Sequence, residues 1–268
     1  GRVMGTICIT GSASGMGAAT AARLRDKGHT VIGVDVRDAE IEADLGTPEG
    51  RTAAIDAVTA ASGGALDGFA PFAGIGGLPD RAGSLVGSVN YFGTSVLLEG
   101  LRPLLANGTD PSVVVISSNS TTCQPNVPDD LIEAFLADDE PLARQLADQH
   151  GSVVTYPASK IALARWVRRR AVGADWIGAG IRLNAVAPGL VETALTAEQK
   201  ADATMAPLIA QFPIPLGRGG RPEELAALVE FLLGPDSTFF VGSVIWCDGG
   251  TDALLRADDW PAVWHLDL

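Results

Sequence analysis

Eight residues near the start of the chain, Thr10-Gly11-Ser12-Ala13-Ser14-Gly15-Met16-Gly17, restrict the fold more than any other stretch. They follow an apolar run, Val3 to Thr10, and precede a stretch of helical spacing, Ala18 to Lys27, closed by Gly28. Glycines at such a junction make a tight turn and let the backbone approach a pyrophosphate. The helix that follows presents its amide-rich N-terminus to the anion. A glycine-rich turn alone is weak evidence, and its bland reading is a plain strand–helix connection. Set between a strand and a helix, it stands where a dinucleotide-binding βαβ unit needs it.

The alternation continues along the chain. Thr30 to Val36 is a second apolar run, and Phe69 to Phe72 a third, followed by the turn Ala73-Gly74-Ile75-Gly76-Gly77. Leu85 to Leu105 reads as one long helix, Ser112 to Ser118 as a buried strand, and Ala158 to Ala174 as a helix. Gly180 to Pro188 reads as a strand with its turn, Pro222 to Leu233 as a helix, and Gly242 to Cys247 as a final strand. This pattern predicts an α/β fold: a single-domain Rossmann-type doubly wound parallel sheet with helices on both faces, spanning residues 1–268. With 47% hydrophobic residues, the chain can fill the core of such a domain. Two irregular segments interrupt the pattern. Thr121 to Ser152 is acidic, with Asp129, Asp130, Glu133, Asp138, Asp139 and Glu140, and reads as an insertion holding one or two short helices. Ala194 to Gly217 is rich in apolar side chains. Loops of this length inside a compact domain are usually functional or disordered.

The formal net charge of −13 argues against nucleic acid and against anionic membranes, both of which need a basic face. Three scattered cysteines, Cys8, Cys123 and Cys247, form no CxxC pair, so neither a disulfide framework nor a metal site is expected. Cys8 and Cys247 read as small core residues, and Cys123 as structural or at the rim of a pocket. No signal-peptide pattern and no membrane-length apolar run is visible, and a cytoplasmic location is the expectation.

Two further features carry chemistry. Asp35 ends the second strand, eighteen residues past Gly17, where a carboxylate can accept hydrogen bonds from ribose hydroxyls and repel a 2′-phosphate. This favours NAD over NADP, although Arg37 lies close by. Tyr156-Pro157-Ala158-Ser159-Lys160 sets a phenol and an ammonium four residues apart, on one face of a helical turn, with Pro157 suited to its first position. A phenol is a poor base at neutral pH. A neighbouring ammonium, aided by a positive nicotinamide, would favour phenolate.

With these residues in place, the chain resembles the short-chain dehydrogenase/reductase family over essentially its whole length. The matching features, in order, are TGSASGMG, Asp35, Ala73-Gly74, Asn90, the VVVISS strand, YPASK and Pro188-Gly189-Leu190-Val191-Glu192-Thr193. The resemblance implies that Tyr156 is the general acid/base and that Lys160 bonds the nicotinamide ribose. Ser118, rather than its neighbour Ser117, would hold the reacting oxygen, and Asn90 would hold a proton-relay water. It implies cofactor contacts from Gly11, Ser14, Gly15, Met16, Gly17 and Asp35, and from Asp44-Leu45 beside the adenine. It adds Ala73 and Gly74 under the ribose, and Pro188, Gly189, Val191 and Thr193 toward the carboxamide and pyrophosphate. The implied partner set is a small alcohol or ketone and a second copy of the chain, in a dimer or tetramer built through the helices beginning near Leu85 and Ala158.

The chain departs from the family pattern in three places. Only eight residues separate Asp35 from Asp44, which leaves almost no room for the usual helix between those strands. Pro71-Phe72 replace polar residues before Ala73-Gly74. Ser118 and Tyr156 stand 38 apart, far more than is usual, so the insertion opens beside the site. These departures resemble the bacterial 3α-hydroxysteroid dehydrogenase/carbonyl reductase subgroup. Leu195, Met205, Leu208, Ile209, Phe212, Ile214 and Leu216 would form a lid suited to a bulky apolar substrate such as a 3-hydroxysteroid, or would simply pack on the core. Alternatives are a carbonyl reductase or alcohol dehydrogenase for smaller cyclic or aliphatic substrates and, more remotely, a catalytically silent NAD-sensing regulator. The aromatic tail, Asp259 to Trp264, is expected to dock on a partner or on its own chain.

Overall fold

In a computed structural model, residues 4–266 are described. The expected first strand includes Val3, which lies outside them. The chain alternates as the apolar runs dictate. β1 (Thr6–Thr10), α1 (Gly15–Asp26) and β2 (Thr30–Asp35) form the first unit, followed by β3 (Ile41–Glu42), α2 (Pro48–Ser62) and β4 (Gly68–Pro71). Then come α3 (Gly83–Gly87), a π-helical turn (Ser88–Phe92), α4 (Gly93–Ala106) and β5 (Ser112–Ile116). The insertion holds α5 (Ser120–Cys123), α6 (Asp129–Leu136) and α7 (Glu140–His150), and leads into α8 (Ser152–Arg170) and β6 (Arg182–Pro188). The chain closes with α9 (Ala194–Ala201), α10 (Met205–Ala210), α11 (Pro222–Leu233), β7 (Val244–Cys247) and α12 (Thr251–Leu255).

All seven strands pair in parallel in the order β3-β2-β1-β4-β5-β6-β7. The order reverses between β1 and β4, and a crevice opens there beyond the carboxyl ends of the strands. Strand alternation sends Ile7, Ile9, Val114 and Ile116 to one face, under Leu24 of α1 and Val229 and Leu232 of α11. Cys8, Phe69, Val113 and Val115 go to the other, under Val58 of α2, Leu101 of α4 and Leu163 of α8. Both faces of the sheet are thus covered.

Four local expectations are corrected. α2 carries no strong apolar stripe and was not foreseen; it buries only Arg51, Ala54 and Val58. The helix expected over Leu85–Leu105 is three pieces, with a π turn between α3 and α4. Pro157 is not at a helix start: α8 begins at Ser152. A proline there strands the carbonyl four residues back, and Gln124 Nε2 donates to that Val153 carbonyl at 3.1 Å. Cys247 is only half-buried, whereas Cys8 is fully enclosed. Trp260 of the tail packs against Trp246 with ring centroids 5.7 Å apart, which docks that part of the tail on its own chain.

Candidate active site

The turn after β1 is shaped for close approach. Gly11 has φ +67°, and a Cβ on it would come within 2.6 Å of the Ala73 nitrogen. A Cβ on Gly17 would lie 2.0 Å from the Gly11 carbonyl oxygen. Neither position tolerates a side chain, so the loop lies flat against the β4 turn. Ser14 gives α1 no side-chain cap and the first turn has no acidic residue, so its amides are left for an anion.

A cleft of about 220 Å³ opens over this turn. Gly11, Ser14, Gly15, Met16, Gly17, Asp35, Asp44, Leu45, Ala73, Gly74 and Thr193 line it, as do Val36, Val89, Ile75 and Phe72. Asp35 Oδ2 accepts from the Ala13 amide at 3.0 Å, which ties the end of β2 to the glycine turn. Arg37 is exposed. The residues fit a dinucleotide: a side-chain-free cradle and free helix amides suit the pyrophosphate, and a carboxylate at the far end suits ribose hydroxyls rather than a phosphate.

A second cavity, about 440 Å³, adjoins the first, and Leu195 borders both. Ser118 and Tyr156 lie in its wall with Asn119, Ser120, Cys123, Gln124 and Gly189. Leu195, Met205, Leu208, Ile209 and Phe212 form its apolar side; Ile214 and Leu216 instead pack near Gly249. Asn119, which sequence reasoning missed, sits beside Ser118 and donates to Asp248 Oδ2 at 3.3 Å. Its only sequence signal was adjacency to the end of the VVVISS strand.

The hydroxyl of Ser118 accepts from the Ser120 amide at 3.1 Å, which leaves its own proton to donate, and it shares the cavity wall with Tyr156. Ser117 turns away, donating to the Lys160 carbonyl at 2.9 Å. Lys160 is buried beneath Tyr156, with Nζ 5.6 Å from the ring centroid and donating to the Ile116 carbonyl at 3.0 Å. Burial pulls its ammonium down to about 8. Burial raises the Tyr156 phenol above its ordinary value, and the Ser118 hydroxyl only opposes the rise. Within the chain itself, burial is thus the largest influence on the phenol.

Asn90 lies in the π turn, fully buried, and lines neither cavity. Its Oδ1 accepts from the Ile75 amide at 2.8 Å and its Nδ2 donates to the Ile75 carbonyl at 2.9 Å. One donor and one acceptor of the side chain thus hold the β4 turn. Pro188 and Val191 also stand back from the cavity walls. The Pro188 carbonyl accepts from the Asn119 amide, and the Val191 carbonyl from the Thr196 hydroxyl. Among the described residues, no group of three or more His, Cys, Asp or Glu side chains could hold a metal ion, and no helix is long and apolar enough to cross a membrane.

This geometry accords with comparisons to known proteins. Residues 141–252 match the Enoyl-(Acyl carrier protein) reductase family. The chain is 41% identical to 3-alpha-hydroxysteroid dehydrogenase/carbonyl reductase of Comamonas testosteroni, over 94% of this chain and 98% of that one. It is 32% identical to cis-4-hydroxycyclohexanecarboxylate dehydrogenase of Sinomonas cyclohexanicum, over 92% and 96% of the two chains. The crystal structure of the 3-alpha-hydroxysteroid dehydrogenase from Pseudomonas sp. B-0831, complexed with NADH, superposes with a TM-score of 0.91 at 48% identity, covering 95% of this chain and all of that one. A seven-stranded parallel sheet with a glycine turn, a Ser–Tyr pair and a buried lysine, in a chain this similar to these enzymes, belongs to the short-chain dehydrogenase/reductase family. It is an oxidoreductase of secondary alcohols and ketones that uses NAD(H).

Proposed function

We propose that the chain interconverts a 3-hydroxysteroid, or an alcohol of similar bulk, with its ketone. One observation carries this reading: the Ser118–Tyr156 pair opens into a cavity whose outer side is almost wholly apolar. Its volume falls in the range of about 300–1,000 Å³ common to small-molecule sites. The names of two relatives, a 3-alpha-hydroxysteroid dehydrogenase and a cyclohexane-ring alcohol dehydrogenase, support a cyclic secondary alcohol.

In this reading NAD supplies the hydride acceptor when bound in the first cleft. Ser118, its acceptor side occupied by the Ser120 amide, donates to the substrate oxygen and stabilises charge there. Tyr156 takes the alcohol proton on oxidation and returns it to the ketone on reduction. Lys160 supports the phenolate from below and bonds the nicotinamide ribose. Asn90 fixes the Ile75 turn with one N–H and one lone pair of its side chain, and its second N–H, second lone pair and main-chain atoms are the groups with which it would hold a relay water. Pro188 and Val191 act by shaping the turn that brings Gly189 and Thr193 to the cavities. Residues 194–217 act as a lid over the substrate, and 121–152 as an insertion within one domain. The enzyme works in the cytoplasm, a reading that three unpaired cysteines support.

A homo-oligomer, dimer or tetramer, is part of this proposal. α7 packs on α3, and α6 on α8, so the chain's own insertion occupies the helical face first expected to meet a partner. Light scattering of the pure protein checks the state.

The test is NAD reduction over 3-hydroxysteroids, cyclohexanols and aliphatic secondary alcohols, repeated with NADP. The highest kcat/KM is expected for a 3-hydroxysteroid with NAD; equal rates with short aliphatic alcohols would overturn the substrate assignment. Tyr156→Phe is expected to abolish turnover while NAD binding stays measurable. Wild-type turnover by that variant would refute the mechanism.

A further inference from the structure

A buried arginine at the back of the first cleft takes its counter-charge from the insertion. Arg51, on α2, is only 2% exposed. Its Nε donates to the Leu45 carbonyl at 2.8 Å and its Nη2 to the Ser88 carbonyl at 3.0 Å. Nη1 and Nη2 grip the carboxylate of Glu140, the first residue of α7, at 2.7 and 2.8 Å. The Ser88 hydroxyl donates to Glu140 Oε1 at 3.1 Å, and Arg144 Nη1 donates to that hydroxyl at 2.6 Å. The Phe92 ring lies 5.8 Å from the guanidinium carbon.

The acceptors of this arginine are parts of the cleft's frame. Leu45 lines the cleft beside Asp35 and Asp44, at the end remote from Tyr156. That is where the adenosine half must lie if the nicotinamide is to face Tyr156. Ser88 opens the π turn whose Asn90 clasps Ile75, which also lines the cleft. One guanidinium thus joins both walls, and it can stay buried only because a carboxylate neutralises it. A planar fork holding two carbonyls and a carboxylate at once is a task lysine cannot repeat.

We propose that Arg51 and Glu140 are positioning residues for the adenosine end of the dinucleotide, so that the insertion sets cofactor affinity as well as walling the substrate cavity. The proposal rests on the assignment of that cleft end to adenosine.

The test is calorimetric titration of wild type, Glu140→Gln and Arg51→Lys with ADP-ribose and with nicotinamide mononucleotide. The Kd for ADP-ribose is expected to rise about tenfold in each variant, with the mononucleotide Kd within about twofold. In turnover, KM for NAD rises more than kcat falls. Equal weakening of both ligands, or an unchanged ADP-ribose Kd in a folded variant, overturns the proposal. Should the variants fail to fold, linkage offers a test on wild type. A ligand that the pair helps to bind must in turn steady the pair, so ADP-ribose is expected to slow amide exchange in residues 140–150. Unchanged exchange there overturns the proposal. A wild type that binds the mononucleotide but never ADP-ribose would instead overturn the assignment of the cleft itself.

Discussion

The insertion and the proposed lid border the same cavity, yet they are held by opposite means. The insertion turns an apolar face inward: Leu131, Ile132, Ala134 and Phe135 of α6 and Ala143 and Ala147 of α7 are all buried in the main core. Phe135 lies 4.9 Å from the Tyr91 ring and 5.9 Å from that of Phe92, so it packs directly on the π turn. The lid buries little beyond Thr196 and Met205. Its attachments are polar and peripheral, such as Arg81–Glu198 at 2.6 Å and Gln199 to the Gly77 carbonyl at 3.3 Å. Exposed ion pairs of this kind contribute about 0–1 kcal/mol. Leu195, Leu208, Ile209 and Phe212 of the proposed lid face the cavity, where a ligand rather than the protein would cover them. A segment that completes its packing within the chain is a wall; one that needs a ligand to complete it can open and close.

The largest expected effect breaks the wall. Phe135→Ala removes a fully buried ring and should cost about 3–5 kcal/mol, read as a shift in the urea midpoint. A loss below about 1 kcal/mol would mean that the insertion is as loosely held as the lid. Next comes the lid. Leu208 is 57% exposed yet lines the cavity. Leu208→Ala should leave stability within about 0.5 kcal/mol of wild type. Its cost should appear in KM for a steroid, raised about fivefold to tenfold, since the lost contact of about 1–1.4 kcal/mol forms only with substrate. If melting and KM moved in the reverse proportion, the lid would be core.

The same contrast explains what could be read from the sequence. β1, β2, β5 and β6 announce themselves because parallel strands buried on both faces are continuous apolar runs. Ser118, Tyr156 and Lys160 were found through motifs whose spacing the fold preserves. α2 escaped because Pro48-Glu49-Gly50-Arg51 and a run of alanines and threonines give little apolar contrast. Its key side chain is a buried arginine, which hydropathy scores as surface. The π turn escaped because an i→i+5 step breaks the helical period without a proline or glycine mark at Asn90. The acidic insertion, read as one or two short helices, hides its inward face because its charges outnumber the few apolar residues that α6 buries. Pro157 misled for a tertiary reason: Gln124, 33 residues earlier, takes the Val153 carbonyl that the proline leaves unpaired.

The smallest effect separates the two segments by pH. Burial raises the Glu140 carboxyl, but the Arg51 hydrogen bonds and charge, with Ser88 and Arg144, pull it down further, so its net position is below its ordinary 4.5. A carboxylate lowered in the folded state contributes stability that is fully present above its unfolded value. That contribution fades as pH falls through the folded value. The urea-midpoint gap between wild type and Glu140→Gln should therefore be level above pH 4.5 and close progressively below it. The matching variant at the lid's anchor, Glu192→Gln, removes an exposed pair with Lys200 of the lid at 2.8 Å and should show almost no gap at any pH. A gap that persists unchanged in acid would mean that Glu140 acts by shape rather than by charge, and the wall would then owe its firmness to α6 alone.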